Sequence, residues 1–132
     1  MGSLRPSADP ISIVVPARAE FLHVVRTVVG SVAARCNLTV DAIEDLRIAV
    51  DEACAQLLVA KGASITVRIV AHPDSVDVAC STDADVTTWP PDGIQHTLAS
   101  QVLQGLADAV SWERDGDGPA VRVTKRGVPV AT

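Results

Sequence analysis

One stretch constrains the fold of this chain more than any other, namely residues 45–58 (DLRIAVDEACAQLL). Its apolar residues recur with the helical period, which indicates a helix with one buried face. Yet Asp51, Glu52 and Gln56 stand in its middle, and burying a carboxylate is costly unless the group has a partner or a chemical role. We therefore expect the chain to be built around a central helix that carries a polar site.

The composition excludes several classes of function. The 132 residues suffice for one domain, whose core must consist of Val, Ala, Leu and Ile because the chain has one Phe, two Trp and no Tyr. The formal net charge of −5 argues against direct nucleic-acid binding. No apolar run approaches membrane-spanning length, and the first ten residues lack the apolar core of a signal peptide. We expect a cytoplasmic protein that does not enter a membrane.

The three cysteines, Cys36, Cys54 and Cys80, are widely spaced and form no Cys-x-x-Cys pair. Each lies in an apolar segment, which predicts reduced, buried thiols rather than a zinc site or a reactive thiolate.

The pattern of periods and turn residues predicts one α/β domain at residues 11–127, between a flexible N-terminus (1–10) and a tail (128–132). Strands are predicted at 11–15, 64–71, 76–80, 110–112 and 120–126, helices at 21–36, 40–59 and 94–110, and a polar loop at 81–93. The order β-α-α-β-β-α-β-β is typical of a two-layer sandwich with a mixed, largely antiparallel sheet and about three helices on one face.

Local signals refine the two long helices. Gly30 allows another element to approach the first helix closely, and Thr39 is a suitable N-cap for the second, which Gly62 is expected to end. Arg47 and Asp51 are four residues apart on the second helix, so they can form a weak ion pair.

Three stretches, EFLHVVRTVVG, DAIEDLRIAVDEAC and LADAVSW, resemble the stress-response anti-sigma factors of the serine-protein-kinase type. These share a Bergerat-type ATP-binding fold with histidine kinases, gyrase and Hsp90. The resemblance implies a catalytic Glu near the attacking hydroxyl and, four residues later, an Asn that binds Mg²⁺ at the nucleotide phosphates. Glu52 matches the Glu, and Gln56 stands at the Asn position as the cofactor and metal residue.

The loops that would bind ATP depart from the pattern of that family. STDADV stands where Asp-x-Gly-x-Gly is expected, so the residue that reads adenine is Asp83, or Thr82 if the register is one residue earlier. Thr97 and Ala99 occupy the places of a second Gly-x-Gly, where a β-carbon obstructs close approach to phosphates. Together with the longer Gln56 side chain, these departures predict that use of Mg²⁺ and ATP is weak or lost.

The resemblance implies a homodimeric anti-sigma factor that sequesters an alternative stress-type sigma factor and is released by an anti-anti-sigma protein with a STAS domain. Arg26, with His23 beside it, falls in the motif that contacts sigma, although an ordinary solvated helix cation fits Arg26 equally well. An active serine/threonine protein kinase that phosphorylates the anti-anti-sigma partner is the alternative, and a non-sigma partner is a third possibility.

Two further residues keep two readings each. Glu52 is either a pocket acid or a helix acid paired with a nearby cation. Trp89 either anchors a partner or packs the polar loop over the pocket.

Overall fold

A computed structural model describes residues 9–116 and 118–127 of the chain. Residues 1–8 of the predicted flexible N-terminus and the predicted tail at 128–132 lie outside the described residues. The elements follow the predicted order: β1 (Ile11–Pro16), α1 (Leu22–Ala33), α2 (Val40–Leu58), β2 (Ser64–His72), β3 (Ser75–Thr82), α3 (Leu98–Leu106), β4 (Ala109–Asp115) and β5 (Gly118–Arg126). Short 3-10 turns at Ala19–Phe21 and Ile94–His96 precede α1 and α3.

The five strands form one sheet in the order β1-β2-β3-β5-β4, and every neighbouring pair is antiparallel. On β2 the alternate residues Ile65, Val67 and Ile69 are fully buried, as the period of two predicts. Buried residues of α1 and α2 belong to the same core cluster, so the helices cover this face. The two-layer sandwich is confirmed, and the sheet is antiparallel throughout the described strands.

The helix α1 lies against α2 at a glycine. A β-carbon on Gly30 would lie 3.1 Å from Cδ of Arg47, so the absence of a side chain makes room for the Arg47 stem. The predicted role of Gly30 in close approach is therefore confirmed.

The helix α2 begins as predicted and ends differently. The Thr39 hydroxyl accepts a hydrogen bond from the Ala42 amide at 3.0 Å, which confirms the N-cap. After Leu58 it is Lys61, not Gly62, that adopts a positive φ of 60°. Gly62 is instead required by space, because a β-carbon there would collide with the Thr82 hydroxyl and the Asp83 carboxylate.

The helix predicted at 94–110 was too long at both ends. Thr97 is extended (ψ 155°) and caps α3, and Ala107 is again extended (ψ 159°). Ala109, which the periodicity placed on the helix, pairs with Thr124 of β5. Strand pairing with β5 therefore overrides the helical period beyond Leu106.

All three cysteines are free and buried, as predicted. A hydrogen bond with Cys80, followed by burial, holds the pKa of the Cys54 thiol well above its ordinary value of 9.0. Cys54 is thus held as a protonated thiol. Among the described helices, none has the length and apolar character needed to cross a membrane.

Candidate functional site

The predicted site residues fall into separate regions of the fold. Gln56, Thr97 and Ala99 line one cavity of about 520 Å³ between α2, the loop that follows β3 and the start of α3. Asp83 lies beside the start of β2. Glu52 neighbours Asp51, which pairs with Arg26 of α1. The structure therefore brings together three of the predicted nucleotide residues but not Asp83 or Glu52.

The Gln56 amide is hydrogen-bonded at both of its polar atoms. Nε2 donates to the Ser100 hydroxyl of α3 at 3.0 Å, and Oε1 accepts from the indole N–H of Trp112 on β4 at 2.8 Å. Ser100 is fully buried. Gln56 therefore links α2 to α3 and to β4.

Sequence reasoning missed Ser100 and Trp112 as partners of Gln56. The available signals were a Trp at the end of the matched LADAVSW stretch and a Ser on the inner face of a helix. Neither signal names a partner, because the contacts cross 44 and 56 residues of chain.

The Thr97 side chain makes the hydrogen bonds that begin α3. The Thr97 hydroxyl accepts from the Ser100 amide at 3.1 Å and donates to the Ile94 carbonyl at 2.9 Å. Ala99 is exposed at the cavity rim. Thr97 thus serves as an N-cap at one of the positions where the resemblance implies a glycine.

These residues do not fit a magnesium–triphosphate group. The Gln56 oxygen, which would have to ligate the metal, already accepts the Trp112 hydrogen bond. Among the described residues lining the cavity, the only charged side chain is Asp92, which is acidic, whereas phosphates are bound by cations and amides. Nor do the described residues contain a cluster of three or more His, Cys, Asp or Glu able to hold a metal.

Asp83 supports the start of β2. Its Oδ1 accepts from the Ala63 amide at 2.8 Å and the Ser64 amide at 3.1 Å. These hydrogen bonds lower the pKa of Asp83 below its ordinary value of 3.8. The bond from the Ser64 amide has the largest effect, and the bond from the Ala63 amide adds to it. Thr82, the other candidate reader of adenine, donates to the Ser64 carbonyl at 2.8 Å. Both candidates therefore hold the same strand end.

Glu52 is half-buried on α2. Burial, and then the neighbouring Asp51 carboxylate, raises the pKa of Glu52 above its ordinary 4.5. Both causes disfavour the ionised form.

The predicted Arg47–Asp51 pair was wrong. Asp51 pairs across the helix interface with Arg26, whose Nη1 lies 2.6 Å from its Oδ1. Arg47 pairs with Glu44 at 3.3 Å, and its stem lies against Gly30. Asp51 thus pairs with Arg26 of α1 instead of with Arg47, which lies four residues away on the same helix.

His23 lies on the first turn of α1 and is exposed. Its Nδ1 is 2.8 Å from the Glu20 carbonyl, so the ring is held against the preceding 3-10 turn.

The loop after β3 is tied to the sheet. Trp89 packs against the core, and its indole N–H donates to the Ala120 carbonyl at 3.3 Å. Arg114 Nη2 donates to the Val86 carbonyl at 2.9 Å. Of the two readings of Trp89, these contacts favour the one in which it packs the loop over the cavity.

Comparison with known proteins places the chain in a family. No family model matches it. It is 35 % identical over 120 residues to anti-sigma-F factor RsbW of Mycobacterium tuberculosis, an alignment that covers 89 % of this chain and 70 % of the relative. It is 32 % identical over 87 residues to serine-protein kinase RsbW of Bacillus subtilis, covering 62 % of this chain and 54 % of the relative. This similarity, together with the confirmed fold, shows that the chain belongs to the RsbW family of anti-sigma factors and serine-protein kinases.

Proposed function

We propose that this protein is an anti-sigma factor that binds and sequesters an alternative sigma factor of the stress type. The observation that carries the proposal is the 35 % identity, across 89 % of the chain, to a relative named anti-sigma-F factor. We also propose that a STAS-domain anti-anti-sigma protein releases the sigma factor, that the chain acts in the cytoplasm as a homodimer, and that residues 11–127 form its single domain.

Arg26 is the centre of the proposed sigma-binding surface. Its side chain is 36 % exposed, and its guanidinium is held in place by Asp51. His23 lies three residues earlier on α1, so it lies on the same side of the helix and is also exposed. An acidic side chain of the partner would compete with Asp51 for the Arg26 guanidinium, which presents several donors in a fixed plane.

The test is binding of the purified cognate sigma factor to Arg26→Ala. We expect the dissociation constant to rise about tenfold or more, because a pre-positioned arginine at an interface centre typically contributes this much. The matched control is Arg68→Ala, which removes an exposed arginine from β2 on the face opposite the helices. Equal affinity of Arg26→Ala and Arg68→Ala would contradict the assignment of Arg26, and absence of sigma binding by the wild type would contradict the function itself.

An active serine/threonine protein kinase is the second candidate function. Relatives named serine-protein kinase favour it, as does the position of Glu52 four residues before Gln56. Incubation with labelled Mg-ATP and the STAS-domain partner tests it, with Glu52→Ala as control. Because the cavity does not fit a magnesium–triphosphate group, we expect no phosphoryl transfer. Transfer by the wild type that Glu52→Ala abolishes would establish the kinase instead.

A third possibility is a partner other than a sigma factor. Affinity capture from the native cell separates it from the anti-sigma function, because recovery of a sigma factor supports our proposal. Recovery of another protein in its place would contradict it.

A further inference from the structure

We propose that the cavity beneath Trp89 is a binding site for an uncharged, mainly apolar small molecule rather than for a nucleotide. The proposal concerns a region separate from Arg26 and does not depend on sigma binding.

The wall of the cavity is apolar. Its volume of about 520 Å³ lies within the range of small-molecule sites, which is about 300–1,000 Å³. Six apolar residues from the turn after α2, the loop after β3 and the 3-10 turn before α3 form most of the wall: Val59, Ala60, Val86, Trp89, Pro91 and Ile94. Such a wall stabilises apolar ligand surface in proportion to the area removed from water.

Two polar residues of the cavity lining, Gln56 and Thr97, already have hydrogen-bond partners within the protein. The Gln56 amide is bound by Ser100 and Trp112, and the Thr97 hydroxyl by the Ser100 amide and the Ile94 carbonyl. A charged ligand group beside the half-buried Gln56 would lose hydration next to an amide whose nitrogen and oxygen already have partners, which is costly. The part of the cavity around Gln56 therefore selects against charge.

The charge of the lining selects against anions in particular. Asp92 is the one charged side chain among the described lining residues, and its carboxylate repels a phosphate. A neutral ligand escapes this repulsion.

The cavity is also held open in advance. The Trp89 indole is fixed to the Ala120 carbonyl, and the loop carbonyl of Val86 is fixed by Arg114. A pre-formed wall lowers the entropy that binding must overcome. The fixed loop and the apolar wall together distinguish this cavity from a surface on which single apolar side chains are exposed apart from one another.

The experiment is a titration of the full chain with Nile red, an uncharged apolar dye whose fluorescence rises in apolar surroundings. The test variant is Val59→Glu, which places a charge on the cavity wall. Its matched control is Val40→Glu at the other end of α2. Both valines are largely exposed, at 77 % and 81 %, so both variants are expected to fold. Ala99→Phe, which fills the rim from another exposed position, is a second test variant.

We expect wild type to bind one dye per chain in a saturable manner. The dissociation constant should be about tenfold or more higher in Val59→Glu and Ala99→Phe. In Val40→Glu it should stay within about twofold of the wild-type value. Millimolar Mg-ATP should leave the bound dye in place. Equal dye binding by wild type, Val59→Glu and Val40→Glu would overturn the proposal, and so would displacement of the dye by millimolar Mg-ATP. Sigma binding by the same variants is measured separately, so failure of the cavity and failure of the anti-sigma function give different results.

Discussion

Gln56 shows how a single side chain can carry a structural role at a position associated with chemistry. Both of its amide atoms are hydrogen-bonded, one to Ser100 and one to Trp112, and these bonds connect two helices and a strand. A half-buried amide stabilises the fold when both its nitrogen and its oxygen are hydrogen-bonded. The same amide destabilises the fold when one of these two atoms has no hydrogen-bond partner. The position therefore contributes to stability whether or not a ligand is present.

We predict that Trp112→Phe lowers the free energy of unfolding by about 1–3 kcal/mol, because it removes the donor that Gln56 Oε1 accepts while keeping a ring in place. Urea denaturation measures the change. The control is the same substitution in a Gln56→Met background, where the hydrogen bond is already absent. A loss as large in that background as in the wild type would mean that Trp112 acts through packing alone.

A second prediction concerns Glu52, whose folded pKa is raised above 4.5 by burial and then by Asp51. Because the folded state holds this proton more tightly than the unfolded state does, the contribution of Glu52 to stability is fully present below pH 4.5 and is lost as the pH rises through its folded pKa. Glu52→Gln removes this loss. We expect a higher melting temperature for Glu52→Gln than for wild type at pH 7, with the difference shrinking toward pH 4. A difference that grows in acid would contradict the raised pKa.

Ion pairs mark the limit of sequence reasoning at this scale. The spacing of Arg47 and Asp51 predicts a pair, and that prediction was wrong because Arg26 lies 2.6 Å from Asp51. Spacing along one helix cannot report a competing cation that arrives from another helix. The N-cap Thr39 was predicted correctly because its hydrogen bond to Ala42 spans only three residues.

At the scale of elements, the junction between α2 and β2 depends on the close approach of two chain segments. Gly62 lies against Thr82 and Asp83 at the end of β3, and Asp83 in turn binds the amides of Ala63 and Ser64. The glycine and the carboxylate together fix where β2 begins.

We predict that Gly62→Ala destabilises the protein by about 1–3 kcal/mol, because the added β-carbon forces the Thr82 and Asp83 side chains away. Gly105→Ala is the matched control. It lies within α3 with nothing near its would-be β-carbon, so we expect it to stabilise by up to about 1 kcal/mol. Thermal denaturation of the two variants, followed by circular dichroism, measures both effects. Shifts of the same sign and size would show that crowding at Gly62 is absent in solution.

The ends of α3 show why element boundaries were harder to predict than element types. The apolar period continues through Ala109, but the helix ends at Leu106. The Lys125 ammonium of β5 donates to the Leu106 carbonyl at 2.8 Å, and the Thr124 carbonyl accepts from the Asp108 amide at 2.9 Å. Both groups lie on β5, which follows the helix in sequence. The apolar pattern of the helix itself therefore cannot predict these contacts.

At the scale of the whole molecule, the order and types of the elements could be predicted because each depends on a short-range period. The alternation of Ile65, Val67 and Ile69 is enough to place β2 with one face in the core. The candidate site could be predicted only in part. Gln56, Thr97 and Ala99 do share a cavity, but what Gln56 contacts depends on residues 44 and 56 positions away. Side-chain partners across a folded core are a property of the packing and not of any local pattern.

The central position of α2 leads to the last prediction. This helix contacts α1, α3, β3 and β5, and Leu57 on its inner face is fully buried. Leu57→Ala leaves a cavity where these layers meet, so we expect it to lower the free energy of unfolding by about 2–5 kcal/mol. Leu98→Ala, at a leucine that is 78 % exposed, should change it by less than about 0.5 kcal/mol.

Because the layers share one core, Leu57→Ala should also lower the midpoint of a single transition rather than split it. Far-ultraviolet circular dichroism follows the helices, and fluorescence of Trp89 and Trp112 follows the loop and β4. Coincident midpoints by both probes, displaced together in Leu57→Ala, are the expected result. Separate midpoints would show that α2 stabilises only the helical layer, and the description of α2 as the element on which the whole domain is built would then be wrong.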